Sequence, residues 1–125
     1  MIRNFKDLVT WQNGNELAVD IFKLWEGIDS RGYFGLREQM QNSAVSIPSN
    51  IAEGHERKSA IEFVRYLYIA KGSAAELRTQ LGILSRIGIA GDIDLSTHIE
   101  RTEILLKQLQ SLISKVYQGQ PPKKK

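Results

Sequence analysis

The strongest regularity in the chain is a run of apolar and small residues separated alternately by four and three positions: Phe63, Leu67, Ala70, Ala74, Leu77, Leu81, Leu84 and Gly88. A 3.5-residue repeat of this kind draws one stripe along a helix that packs on a gently supercoiled seam. The segment opens at Ser59-Ala-Ile-Glu62, the Ser-x-x-Glu spacing of a capping box, and runs to Ile87 before Gly88. Its centre, Gly72-Ser-Ala-Ala75, is built of small residues, so a neighbouring helix can approach closely there.

Three further stretches have helical periodicity, divided by glycine-bearing breaks. The first runs from about Thr10 to Ile28, with Trp11, Leu17, Ile21, Leu24, Trp25 and Ile28 on its apolar side. Asn13 and Gly14 are poor helix formers, Gly14 by roughly 1 kcal/mol relative to alanine, and predict a weak first turn. The second runs from about Leu36 to Ala52 and stops near Gly54, with Met40, Ala44, Ile47, Ile51 and Gly54 as its seam. Pro48 lies inside it and should kink or loosen one turn, the alternative being two shorter helices broken at Ile47. The last starts after Gly91, with Asp92 or Asp94 as N-cap, carries Leu95, Ile99, Thr102, Leu105 or Leu106, Leu109, Leu112 or Ile113, and Val116, and ends near Tyr117. No strand-like alternation of useful length occurs. The expectation is an all-α domain over residues 1–118, an antiparallel up-down-up-down four-helix bundle, followed by a flexible Pro/Lys tail at 119–125.

The second helix carries another row beside its seam: Gln39, Ser43, Ser46, Asn50, Glu53 and Arg57, spaced 4, 3, 4, 3, 4. All are polar, and several are short. Solvated helix faces favour Lys, Glu, Gln and Arg, whereas Ser and Asn compete with the helix for backbone hydrogen bonds. The row therefore reads as a face that something else meets, and a subunit interface is the expected use.

Composition narrows the picture. A chain of 125 residues suits one core, and the absence of cysteine removes disulfides, thiolate metal sites and thiol nucleophiles. No apolar run approaches the ~20 residues of a membrane span, and the first residues lack the apolar stretch of a signal peptide. A soluble cytoplasmic protein is expected. The net charge of +3 sits in Lys123, Lys124 and Lys125, because residues 1–122 balance. Within that neutral body, residues 31–86 carry eight basic and five acidic side chains, and residues 1–30 carry three and five.

Two motifs in register carry a family resemblance. Ser46-Ile-Pro-Ser-Asn-Ile-Ala-Glu-Gly54 followed by Arg57, then Phe63, Leu67 and Ile69-Ala-Lys-Gly-Ser-Ala-Ala-Glu-Leu77, resembles the signature of the four-helix-bundle proteins encoded in 23S rRNA intervening sequences. The opening Phe5-Lys-Asp-Leu-Val-Thr-Trp11 is similar to that family's start. The resemblance covers about residues 5–117. It implies a homopentamer with a central channel, an association with structured RNA or DNA, and no enzymatic activity. The related accessory protein of diversity-generating retroelements implies, as the alternative, a scaffold for a partner protein such as a reverse transcriptase. Those relatives are strongly basic, and the neutral body here departs from them.

Candidate chemistry is sparse. His55 and His98 are the only histidines; no Glu-x-x-His of a di-iron bundle and no His-Glu-x-x-His occurs. His55 follows a glycine and is expected in a turn, facing solvent. No phosphate-binding glycine loop and no nucleophile with an identifiable base are present, so no catalytic residue, cofactor or metal is expected. Candidate nucleic-acid contacts are Lys58, Arg65, Lys71, Arg78 and Arg86 on the outer side of the third helix, together with Lys123, Lys124 and Lys125.

Overall fold

Four helices make up most of residues 4–119, the part of the chain that the computed structural model describes. A 3-10 turn at Phe5–Asp7 leads into α1 (Val9–Glu26), followed by α2 (Phe34–Glu56), α3 (Ala60–Ile87) and α4 (Ser96–Gln118). The 3.5-residue repeat is the core side of α3, where Leu67, Ala70, Ala74, Leu77, Leu81 and Leu84 are fully buried. Leu17, Ile21 and Trp25 of α1, Met40, Ala44, Ile47 and Ile51 of α2, and Leu105 and Leu109 of α4 close the same core.

Side-chain contacts fix the relative directions. Asn13 Nδ2 donates to Gln108 Oε1 at 3.1 Å and Arg101 Nη1 to Asp20 at 2.6 Å, so α1 and α4 run oppositely. Lys71 Nζ donates to Gln110 at 2.6 Å and Arg78 Nε to Glu103 at 3.3 Å, so α3 and α4 do too. Ser46 bonds Ser73 and Gly54 lies against Tyr66, which sets α2 against α3 in the same sense. These registers fit the expected up-down-up-down order. Each helix packs on its neighbours in sequence, α1 also meets α4, and α1 and α3 make no close backbone approach.

Helix ends depart from expectation in instructive ways. Ser59 caps α3 by accepting from the Glu62 amide at 3.3 Å, but Glu62 turns its carboxylate to Arg65 instead of back to Ser59, so only half of the capping box forms. Gly88 closes α3 with φ 79°, a left-handed conformation that glycine adopts without penalty. α4 begins later than expected, at Ser96, and neither Asp92 nor Asp94 is its N-cap residue. Asp94 accepts from the Ser96 amide at 2.9 Å, and that backbone bond holds its carboxyl below the usual range.

The weak first turn expected of α1 is not seen, because tertiary packing overrides propensity there. Gly14 is buried, and a Cβ on it would lie 3.1 Å from Ile47 Cγ2 and 3.8 Å from Pro48 Cδ. The missing side chain makes room for the Ile47-Pro48 step of α2, which continues unbroken through the proline.

His98 lies in the first turn of α4. Burial, then the Arg101 charge, hold its imidazole below the ordinary value, while Asp20 and Asp94 pull the other way. The unfolded chain therefore binds a proton where the folded chain does not. Stability should fall as the pH drops through the unfolded value of about 6.5 toward the lower folded one, with no contribution above that window. Between about pH 7.5 and pH 5.5, wild type should lose more of its thermal midpoint than His98→Gln. Parallel losses would show that His98 titrates normally.

Candidate interaction surfaces

The polar row of α2 meets α3 within the same chain. Ser43 is buried; Ser46 Oγ shares a 2.8 Å hydrogen bond with Ser73 Oγ. Asn50 Nδ2 donates to the Ser46 carbonyl at 2.8 Å and to Ser46 Oγ at 2.9 Å. Short hydroxyls fit here because the small centre of α3 brings the two helices together, leaving no room for longer side chains. Lower down, Arg57 Nη2 reaches Glu53 at 3.0 Å and the Tyr66 hydroxyl at 2.7 Å. The Tyr66 ring is flanked by two guanidinium groups, with Arg57 at 5.1 Å and Arg65 at 4.6 Å from its centroid. Gln39 is exposed and borders a shallow groove with Gly72, Thr79 and Ile83 of α3.

His55 corrects the expectation of an exposed turn residue. α2 runs through Gly54 to Glu56, and the His55 side chain is 11% exposed, edge-on to Phe63 with centroids 5.6 Å apart. Gly54 is the reason the sequence places the helix end too early. The residue is a close-approach site and not a helix stop.

The basic line on α3 is partly occupied. Arg65 holds Glu62 at 3.1 Å, which keeps the Glu62 carboxyl below its usual value. Arg78 holds Glu103, and Lys71 donates to Gln110. Lys58, in a left-handed backbone conformation at φ 57°, and Arg86, in the last turn, are exposed. Lys123, Lys124 and Lys125 lie outside the described residues. Among the described residues no cluster of three or more His, Asp or Glu could hold a metal ion, and no helix is long and apolar enough to cross a membrane.

Sequence reasoning missed an apolar groove of about 580 Å³ between α1 and α2, lined by Trp11, Val19, Phe22, Val45, Pro48 and Ala52, with Lys23 and Glu26 beside them. Val19, Phe22 and Val45 are each more than 40% exposed. The signal was available, since all three are large apolar residues off the core seams.

Comparison with known proteins places these features. The model of the family described as 23S rRNA-intervening sequence protein matches residues 6–111. A solved structure is similar over 85% of this chain and 96% of its own, at 26% identity and a TM-score of 0.73: a protein of unknown function from the S23 ribosomal protein family of Bacteroides thetaiotaomicron. Comparison with curated proteins gave no match.

Proposed function

Because the chain belongs to the 23S rRNA-intervening sequence protein family, we propose that it acts without catalysis, as a homo-oligomer that gathers basic tails and side chains against structured nucleic acid. The observation that carries this reading is the uncovered apolar groove between α1 and α2, a surface that a lone copy leaves in water. The resemblance suggests five copies. Assembly also decides whether the charge matters. One tail of three lysines gives a log–log salt slope of only about −3 on duplex nucleic acid, and several tails acting together give a proportionally steeper one. Lys58, Arg86 and the tail carry the contact, since Arg65 and Arg78 already neutralise carboxylates.

Light scattering after size exclusion should give about five times 14.2 kDa. Anisotropy titrations with a structured rRNA fragment should show a steep salt slope that collapses when Lys123–Lys125 are deleted. A monomer mass overturns assembly; salt-independent binding, or none, overturns the nucleic-acid reading. A scaffold for a partner protein is the second reading, favoured by the groove being apolar where a phosphate-binding surface would be basic.

A further inference from the structure

Tyr68 and Tyr117 stand on neighbouring helices, 53% and 58% exposed, and line one groove of about 280 Å³ between α3 and α4. Gln110, Ser114 and Gln118 add neutral hydrogen-bonding groups to its walls. The Lys71–Gln110 and Arg78–Glu103 bonds set the register of the two helices. In that register Tyr117 lies level with Val64, about 6 Å along α3 from Tyr68. Both tyrosines differ from Tyr66, whose ring is taken by Arg57 and Arg65. Among the described residues no guanidinium lies over the ring of Tyr68 or Tyr117, and no second aromatic ring packs on either.

The charge around this groove is one-sided. Lys71 donates to Gln110, a neutral partner, so its charge stays uncompensated. Lys107 is exposed and shares a side of α4 with Gln110 and Ser114, by their spacing of three and four residues. The flanking carboxylates are already held, Glu62 by Arg65 and Glu103 by Arg78, and Glu76 borders the groove on the α2 side. From Ile104 to Lys125 the sequence has five lysines and no acidic residue. The ligand that suits this surface presents flat rings to two tyrosines and negative charge to lysines. Unpaired nucleotides do both. A duplex keeps its base faces stacked inside, and an acidic peptide brings charge without a series of planar rings.

We propose that the α3–α4 groove binds an unpaired stretch of nucleic acid, with bases stacked on Tyr68 and Tyr117 and phosphates against Lys71 and Lys107. This rests on the nucleic-acid reading above and adds which part of a structured RNA is held, a loop or a single-stranded end. Every base has a face to stack, so the site selects strandedness over sequence.

Anisotropy titrations with a labelled octauridylate, an RNA duplex of the same length and the structured rRNA fragment test the site. Wild type should bind the single strand more tightly than the duplex. Tyr68→Ala and Tyr117→Ala should each weaken single-strand binding about fivefold or more. The salt slope should not change, because no cation is lost. Tyr68→Phe and Tyr117→Phe keep the ring and should bind as wild type does. Both sites are exposed, so circular dichroism should show unchanged helix content. Tyr33→Ala, at the other end of the bundle, is the control and should bind normally. Alanine variants that bind the single strand like wild type overturn the stacking site and leave the nucleic-acid reading standing, as does a wild type that prefers the duplex. Equal losses in the phenylalanine variants assign the effect to the hydroxyls and overturn stacking. Alanine variants whose oligomer mass changes make this face a contact between copies and overturn the assignment. A wild type that binds none of the three RNAs removes the nucleic-acid reading itself.

Discussion

Replacing Gly54 by alanine should destabilise the chain by about 1–3 kcal/mol, the range of an overpacked core, although alanine gains roughly 1 kcal/mol over glycine within a helix. The added methyl would sit 2.6 Å from Tyr66 Cβ, 3.1 Å from Phe63 Cδ1 and 3.4 Å from the Phe63 carbonyl oxygen. Tyr66 Cβ is bonded to the backbone of α3 and cannot swing aside as a flexible tip would. α2 and α3 would have to part, at the expense of the Arg57–Tyr66 bond and the packing of His55 on Phe63. Gly35→Ala is the control, because nothing lies within 4 Å of that position in the first turn of α2. Urea unfolding should show the two glycine replacements moving in opposite directions. Two equal gains would mean that propensity alone governs both sites.

Trp25→Ala should cost about 3–5 kcal/mol, a large share of the 5–15 kcal/mol typical of a domain. Trp25 is 1% exposed and is the largest fully buried side chain of the core. Its indole N–H is buried and meets no hydrogen-bond acceptor among the described residues, a position that by itself costs about 1–3 kcal/mol. Trp25→Phe deletes that orphan donor along with some volume, so its loss should be well below that of alanine. Equal losses in denaturant midpoint would show that the indole N–H is satisfied in solution.

The fold is legible in the sequence because its information is one-dimensional. A seam such as Leu67 to Leu84 repeats along a single helix, and a period is visible without knowing the partner. The same holds for Ser59 and Gly88, whose roles at helix ends are local. Properties that depend on a second helix are harder to read. Gly14 and Gly54 look like a defect and a stop, yet each is a point where another helix comes close, against Ile47 in one case and Tyr66 in the other. The row from Ser43 to Arg57 is a contact face, as its composition suggests, and the contact found for most of it is α3 of the same chain. Spacing gives the face; it does not give what lies across it. Charge is similarly incomplete: Arg78 and Glu103 lie 25 residues apart in sequence, and only the α3–α4 register brings them to 3.3 Å.

The alternating directions of the helices have an electrostatic consequence. Each helix ends in a partial charge of about half an elementary unit, positive at its N-terminus and negative at its C-terminus. In this arrangement the starts of α1 and α3 share an end of the bundle with the finishes of α2 and α4, so the macrodipoles largely cancel. The backbone therefore supplies little net field at either end, and a polyanion approaching the molecule feels side chains almost alone. At the end where the 57–59 turn and Gly119 lie, the body of the chain contributes near-balanced charge. The field there is set by side chains such as the Arg57–Glu53 pair, without help from the backbone.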